Sequence, residues 1–221
     1  MAAVFPITQQ ISSSAPQSSR AAAQLSVSEA EDCLIYDRHG APAPFRSLFQ
    51  SSRAIIIFNF LCFACKEYVE DLSKISQKAL LDAGVRLVVI GQASCSHIEA
   101  FCSLTGYQHE IYVDPERQIY KKLGMKRGET FMETASKSPH VKSSMLVGSL
   151  KSMWRAMTSP VFDFQGDPLQ QGGAIVVGPG SDVHFAHFDM NRFDQAPINQ
   201  LLELAGMQMV DFNRHPKVID I

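Results

Sequence analysis

Residues 54–72 read AIIIFNFLCFACKEYVEDL, and this stretch decides the fold because it contains a change from strand to helix. The run Ala54–Phe58 is apolar and mostly β-branched, which is typical of an interior strand. Further along, apolar residues recur at helical spacing, at Cys65, Tyr68, Val69, Leu72, Ile75 and Ala79. The chain is therefore predicted to turn from strand to helix at the pair Cys62 and Cys65.

The spacing Cys62-x-x-Cys65 at the start of a helix favours redox chemistry. A thiol in that position faces unpaired backbone N–H groups and the positive end of the helix dipole, and both favour the thiolate. The thiolate is the reactive form of cysteine, and C-x-x-C motifs can lower the thiol pKa substantially. We therefore expect Cys62 and Cys65 to form a redox-active dithiol.

Two other interpretations of the cysteine pair stay open. A zinc site needs further ligands, and the chain has no second C-x-x-C, although Cys95, His97 and Cys102 could complete a site. Alternatively, both cysteines are incidental residues of a buried helix. We expect neither a metal nor a cofactor.

Composition places the chain among ordinary globular proteins. Its 221 residues suit one domain, and 46% are hydrophobic while 19% are charged. The net charge of −2 gives no electrostatic reason to expect nucleic acid or an anionic membrane as a partner. Five cysteines, of which only one pair has informative spacing, argue against a secreted disulfide framework and for a reducing compartment.

The chain is predicted to consist of one folded domain between two unstructured ends. Residues 1–30 are expected to form a disordered leader that is rich in Ala, Ser and Gln. The domain then spans residues 31–212, and residues 213–221 form a polar tail. No apolar run approaches the length that spans a membrane.

Hydrophobic periodicity and turn residues predict the remaining elements. The first helix is expected to continue to about Asp82 and to stop at Gly84, and a helix is expected to start at Asp114-Pro115-Glu116. The other predicted strands are Cys33–Tyr36, Val85–Ile90, Glu110–Val113, Ala174–Val177 and Val183–Phe188. Three further helices are predicted: one that ends at Leu104, one from Val141 to Met157 with Trp154 on its inner side, and one from Ile198 to Leu204.

This order of elements predicts an α/β protein with a thioredoxin-like fold, a central mixed sheet flanked by helices. Active sites of open α/β sheets lie at the carboxyl ends of the strands. The predicted position of Cys62, directly after the first long strand, agrees with that rule.

Several segments resemble the peroxiredoxin-like 2 family, which is of the AhpC/TSA antioxidant type. They are Leu61–Leu72, Ile111–Arg117, Phe162–Pro168 and Gln171-Gly172-Gly173, and the resemblance extends over roughly Cys33 to Phe212. It implies a thioredoxin fold, a cytoplasmic setting and redox chemistry at the cysteine pair. The dithiol cycle needs an external reductant, and we expect thioredoxin or glutathione in that role.

The chain departs from the pattern of its relatives at three points. Ordinary peroxiredoxins carry the motif Pro-x-x-x-Thr-x-x-Cys. The positions of its Pro, Thr and Cys are occupied here by Phe58, Cys62 and Cys65, so the Pro and the Thr are absent. Relatives carry a basic residue shortly before the dithiol, whereas residues 58–60 contain none. Thioredoxins place a cis-proline before the hairpin strand, where this chain has residues 171–173. These departures argue against fast peroxide turnover.

Two assignments of the catalytic roles of Cys62 and Cys65 are open. Cys62 precedes the helix and is open to attack from solvent, which favours it as the nucleophile with Cys65 as the resolving partner. The alignment with peroxiredoxins reverses the roles. Nearby charges oppose one another, since Lys66 should lower the thiol pKa while Glu67, Glu70 and Asp71 should raise it.

We expect a thiol-dependent redox protein that reduces peroxides through this dithiol. One alternative is the reduction of lipid endoperoxides of the prostaglandin type, in a groove lined by Phe60, Phe63, Met153 and Trp154. Another is a redox-responsive signalling protein with little turnover. Cys33, Cys95 and Cys102 are expected to be structural, and His184 and His187 should lie on opposite faces of a strand.

Overall fold

The computed structural model describes residues 26–58, 63–128, 138–140, 167, 169–191 and 193–212. For residues 63–65 it describes the backbone only. Within the described residues, no helix has the length and apolar character needed to cross a membrane.

A mixed seven-stranded sheet forms the centre of the described structure, in the order β2-β1-β5-β4-β3-β6-β7. The neighbouring strands β3, β4 and β5 are parallel to one another, while every other pairing is antiparallel. The strand bounds are β1 (Leu34–Tyr36), β2 (Pro42–Pro44), β3 (Arg53–Phe58), β4 (Val85–Gly91), β5 (Glu110–Val113), β6 (Gly173–Val177) and β7 (Val183–Phe188). The predicted α/β class and central mixed sheet are confirmed.

Helices cover both faces of this sheet. The α-helices are α1 (Phe63–Leu72), α2 (Gln77–Ala83), α3 (Ile98–Thr105), α4 (Gln118–Lys122) and α5 (Ile198–Leu204), and short 3₁₀ helices occupy Ser28–Ala30, Phe45–Leu48 and Cys95–His97. Alternate residues of β3 face opposite layers, so Ile55 and Ile57 pack with α1, α2, α3 and α5. Ile56 and Phe58 pack instead with α4 and the first two 3₁₀ helices.

The prediction of one helix from Cys65 to Asp82 is wrong, because the chain leaves the helix after Leu72. The N–H groups of Lys74 and Ile75 each donate to a carbonyl only three residues back, at 3.1 Å. Ser76 is extended and its hydroxyl accepts from the Ala79 N–H, which starts α2 anew. The restart changes the phase of the buried stripe, so Ala79 is exposed and Leu80 is buried.

The predicted helix start at Asp114-Pro115-Glu116 is also wrong by a few residues. Residues 115 and 116 form a turn, and Arg117 has a left-handed backbone with φ of 58°. That conformation cannot belong to a right-handed helix, so α4 begins at Gln118. The Asp114 carboxylate accepts from the Ile119 N–H at 2.8 Å and caps the helix from across the turn.

The packed part of the chain begins earlier than the predicted boundary at residue 31. Val27 and Ala30 are fully buried against the second face of the sheet. The rest of the predicted leader, residues 1–25, lies outside the described residues, as do the predicted tail 213–221 and the predicted helix Val141–Met157 with Trp154.

A buried pair between Asp71 and His140 ties the end of α1 to the start of α5. His140 Nδ1 lies 2.9 Å from Asp71 Oδ2, and its Nε2 accepts the N–H of Ile198 at 3.1 Å. The bond from Ile198 requires a free lone pair on Nε2, so the ring proton lies on Nδ1 and is donated to Asp71. Lys74 Nζ lies 2.7 Å from the other carboxylate oxygen and neutralises part of its charge.

Two glycines allow the strands β3, β6 and β7 to come close together. A Cβ built at Gly172 would lie only 2.1 Å from the carbonyl oxygen of Phe58, the last residue of β3. A Cβ at Gly173 would lie 2.4 Å from the carbonyl oxygen of His187. Because both clashes are with backbone, no side chain at these positions fits without moving a strand.

We predict that Gly172→Ala lowers the free energy of unfolding by about 3 kcal/mol, since the methyl group must push β3 and β6 apart. Urea denaturation measures this loss. Gly84→Ala is the control, because a Cβ there meets nothing within 4 Å and introduces only the strain of a φ of 63°, about 1 kcal/mol. Equal losses in the two variants would contradict the close approach.

We also predict that His140→Ala costs about 3 kcal/mol, because it leaves the Asp71 carboxylate buried without its imidazole donor. Adding Asp71→Asn should recover part of this loss, since it removes the uncompensated charge. The control is Lys74→Ala, whose partly exposed ammonium should contribute less than about 1 kcal/mol. Additive losses in the double variant would argue against the pair.

Candidate redox site

The segment that carries Cys62 leaves the sheet at the end of β3 and leads into α1. β3 ends at Phe58 and α1 begins at Phe63, so Cys65 is the third residue of the helix. The backbone confirms the predicted change from strand to helix at the cysteine pair. Cys62 itself and the side chain of Cys65 lie outside the described residues.

We call the edge at which β3, β4 and β5 end, at Phe58, Gly91 and Val113, the carboxyl edge. The pairing register aligns Phe58 with Ile90 on one side and with Gly173 on the other. Gly173 in turn pairs with Phe188 at the end of β7. The residues near these strand ends therefore lie along the same edge of the sheet as the end of β3: Gln92, Asp114, Gln170, Gln171, Gly172 and Asp189.

Asp189 is a buried carboxyl group at this edge. Its Oδ1 lies 3.6 Å from His187 Nε2, and its Oδ2 would lie 3.4 Å from a Cβ at Gly172. Burial raises its pKa well above the ordinary value, and the charge of Asp194 raises the pKa further. Sequence reasoning missed Asp189, although its position directly after a strand that ends at the carboxyl edge could have pointed to it.

Tyr68 borders the same region from α1. Its hydroxyl donates to the carbonyl of Ala196 at 2.7 Å, so the phenol is neutral and hydrogen-bonded. Burial raises the Tyr68 pKa, and the nearby charge of Asp189 raises it as well. Tyr68 follows Cys65 by three residues, which places both on one side of the helix.

A pair of buried amides lies beside the end of β4. Gln92 Nε2 donates to the Gln170 carbonyl at 3.4 Å, and Gln170 Nε2 donates to the Lys126 carbonyl at 3.0 Å. The Gln92 Oε1 has no hydrogen-bond partner in the described part of the chain, although the side chain is buried. The edge thus holds an acceptor oxygen with a free lone pair.

Basic residues near the edge are mostly paired. Lys66 Nζ lies 3.1 Å from Glu70, so the cation that was expected to lower the thiol pKa is partly neutralised. The carboxylate of Asp167 accepts from both Arg117 and Arg127 at 2.6 Å. This cluster of three carries a net positive charge, and the Arg127 hydrogen bond is the main cause that lowers the pKa of Asp167.

The other cysteines occupy the positions expected of structural residues. Cys33 is buried, and Cys95 and Cys102 are partly buried and pack against the core. Burial raises the pKa of the Cys102 thiol, which disfavours its reactive form. Among the described residues, no three His, Cys, Asp or Glu side chains converge as metal ligands.

The two histidines of β7 bind backbone rather than each other. His184 Nε2 lies 2.8 Å from the carbonyl of Gly178, and His187 Nε2 lies 2.7 Å from the carbonyl of Asp194. Because a carbonyl can only accept, both Nε2 atoms carry hydrogen. Neither is presented as a metal ligand through that atom.

An open pocket of about 430 Å³ lies at the opposite end of the parallel strands. Its walls include Val85 and Glu110, the first residues of β4 and β5. It therefore lies away from the carboxyl edge and does not contain the candidate site.

Comparison with known proteins places this arrangement in a family. A family model described as AhpC/TSA antioxidant enzyme matches residues 71–191. Peroxiredoxin-like 2C of Takifugu rubripes is 57% identical over 227 residues, in an alignment that covers 100% of both chains. Prostamide/prostaglandin F synthase of Bos taurus is 30% identical over 183 residues, which cover 76% of this chain and 81% of that protein.

Solved structures share the fold. The crystal structure of peroxidoxin BcpB from Mycobacterium tuberculosis superimposes with a TM-score of 0.51 and covers 78% of this chain and 90% of that one. The two sequences are 12% identical, so this likeness concerns the fold alone. Taken with the full-length and family matches, it leaves one conclusion: the chain belongs to the AhpC/TSA antioxidant enzyme family and, within it, to the peroxiredoxin-like 2 family.

Proposed function

We propose that this protein is a thiol-dependent enzyme that reduces peroxides through a dithiol–disulfide cycle of Cys62 and Cys65. The observation that carries the proposal is the start of α1 at the carboxyl edge, with Cys65 in its first turn and Cys62 directly before it in the sequence. This is where the helix dipole and free N–H groups favour a thiolate. Membership of the antioxidant family supports the same chemistry.

The cycle has three steps. The Cys62 thiolate attacks one oxygen of the peroxide, forming a sulfenic acid and releasing an alkoxide or hydroxide that takes up a proton. The Cys65 thiol then attacks the sulfenic sulfur, forming the disulfide and releasing water. A dithiol or two monothiols outside the protein reduce the disulfide by exchange, and are themselves oxidised.

Cys62 is our choice of nucleophile because it precedes the helix, whereas Cys65 belongs to the apolar stripe that continues through Tyr68 and Val69 in the sequence. A thiol on such a stripe is expected to suit an internal second step better than attack on a dissolved peroxide. The reverse assignment, in which Cys65 occupies the attacking position of ordinary peroxiredoxins, is decided by the variants below.

Thioredoxin and glutathione are the proposed reductants, and the cytoplasm is the proposed location. Both follow from the need for a thiol donor and a compartment that keeps the remaining cysteines reduced.

Reduction of a lipid endoperoxide is the second candidate function. It is favoured by the 30% identity with prostamide/prostaglandin F synthase, a relative that matches across 76% of this chain. An endoperoxide contains the same O–O bond, so the dithiol chemistry would be unchanged and only the binding groove would differ. The residues expected to line that groove, Phe60, Phe63, Met153 and Trp154, have side chains outside the described residues.

A redox-responsive signalling protein is the third candidate. The proline and threonine of ordinary peroxiredoxins are replaced here by Phe58 and Cys62, and Lys66 is paired with Glu70. Each feature removes a group that would accelerate attack on a peroxide. Such a protein would form its disulfide slowly and would bind partners in one redox state only.

We predict that Cys62→Ser abolishes consumption of hydrogen peroxide, because the attacking sulfur is lost. Cys65→Ser should allow one turnover and then accumulate a sulfenic acid or a mixed disulfide with the reductant. Stopped-flow kinetics and intact-protein mass spectrometry measure the two outcomes. Cys95→Ser is the control and should keep the wild-type rate.

Opposite results for the two variants would reverse the roles of the thiols. Wild-type peroxide consumption in both variants would rule out the cycle.

We predict that hydrogen peroxide is reduced with a higher kcat/KM than a prostaglandin endoperoxide, with thioredoxin or glutathione as the electron donor. Coupled oxidation of NADPH through the matching reductase measures both substrates under one set of conditions. A preference for the endoperoxide would establish the second candidate. Rates for both substrates near that of free cysteine, with oxidation-dependent capture of a partner, would establish the third.

A further inference from the structure

Two arginines share one carboxylate oxygen at the carboxyl edge. Arg117 Nη1 and Arg127 Nε each donate to Asp167 Oδ2 at 2.6 Å, so the two guanidinium groups are held close to the same atom. The other carboxylate oxygen, Asp167 Oδ1, accepts the Leu169 N–H at 3.1 Å. We call these three charged residues the arginine cluster. It carries one positive charge that its carboxylate does not balance.

Backbone contacts place the arginine cluster next to the start of β6. Arg127 forms a β-bridge with Gln170, and the Gly128 N–H donates to the Leu169 carbonyl at 2.7 Å. Two residues after Gln170, Gly172 lies against the Phe58 carbonyl at the end of β3. Arg117 joins the cluster from the short segment between β5 and α4. Ligands of open α/β sheets bind along this edge.

Arg117 has a backbone conformation that suits glycine better than arginine. Its φ is 58°, and no other residue except glycine has a positive φ in the part of the chain that the structure describes. A side chain in this conformation strains the backbone, and such strain persists only where the surrounding structure imposes it. The fold thus keeps a guanidinium at a position where glycine would be free of strain.

Most donors of the two guanidinium groups are free. An arginine side chain has five N–H donors, and each arginine here gives one of them to Asp167. Among the described residues, neither guanidinium has another hydrogen-bond partner, and the Arg127 side chain is 64% exposed. The Arg127 hydrogen bond lowers the pKa of Asp167, so the carboxylate stays ionised. A structural tie needs one arginine for one carboxylate, which leaves the second cation available to an outside anion.

We propose that Arg117 and Arg127, held by Asp167, bind a carboxylate group of a small-molecule ligand at the carboxyl edge. One carboxylate balances the remaining charge of the arginine cluster, and its two oxygens can accept from both guanidinium groups. For the source of that carboxylate the inference rests on the proposed function. Glutathione, a proposed reductant, carries two carboxylates, and a lipid endoperoxide of the prostaglandin type carries one.

Ligands that cannot react with the dithiol test this site separately from the redox cycle. S-methylglutathione has a blocked thiol and represents the reductant, whereas decanoate has no O–O bond and represents the carboxylate end of a lipid. Isothermal titration calorimetry with the reduced, full-length protein measures the dissociation constant of each. We expect at least one of them to bind, and we expect its affinity to fall as salt is added, because the contact is between charges.

Arg127→Gln should weaken this binding by at least about tenfold, because the ligand loses a charge-assisted hydrogen bond. Arg127→Lys keeps the charge but not the planar group, so it should recover only part of the affinity. Arg117→Gly should weaken binding as well, and glycine adopts the positive φ at this position without strain. Thermal unfolding of each variant shows whether it is folded.

Arg46→Gln is the matched control. Arg46 is also paired with an aspartate, Asp32, but it lies in the 3₁₀ helix before β3. Ser47 of the same helix accepts a hydrogen bond from Arg86 near the start of β4, so this pair lies at the opposite edge of the sheet. The control variant should bind both ligands as the wild type does. The diethyl ester of S-methylglutathione, which has no carboxylate, should not bind.

The possible results are distinguishable. Binding of S-methylglutathione alone identifies the reductant as the source of the carboxylate, and binding of decanoate alone identifies the lipid. The site is overturned if neither ligand binds at millimolar concentration, if folded Arg127→Gln and Arg117→Gly bind like the wild type, or if the diester binds like the acid. Absence of a Cys62–Cys65 disulfide after treatment with peroxide would overturn the proposed function instead, and would not change these binding results.

Discussion

The pairing of β3 on both of its edges is the constraint on which the rest of the structure depends. Ile55, Ile56, Ile57 and Phe58 each pair with β4 on one side and with β6 on the other. The contact of Gly172 with the Phe58 carbonyl allows no side chain between the strands. The point at which the chain leaves the sheet is therefore fixed by backbone contacts, and the cysteine pair begins four residues later.

Much of this framework could be predicted from the sequence, because strands buried on both faces read as apolar runs. Glu110–Val113 has the predicted bounds, and Gly84, the predicted helix stop, follows α2 in a left-handed conformation. The errors arose where polar side chains compete for the backbone. Ser76 starts a helix inside a predicted one, and the Asp114 carboxylate caps α4 from across a turn that the rule for Pro115 does not foresee.

The polar groups of the site were harder to predict than the strands. Cys62 and Cys65 were found because their spacing is a motif, whereas Asp189 has no motif and becomes notable only when β3, β6 and β7 are side by side. His187 illustrates the same limit, since alternation along β7 predicts which face it occupies but not the carbonyl of Asp194 that it binds. Gln92 and Gln170 likewise meet only because the strand ends converge at the carboxyl edge.

Two buried aspartates differ in whether their charge is compensated: Asp71 lies near the end of α1, and Asp189 follows the last residue of β7. Asp71 is bonded to His140 and paired with Lys74, so its charge is accommodated and it can hold α1 against α5. Asp189 receives no such donors from the described residues and faces a second carboxylate, so ionisation there costs free energy.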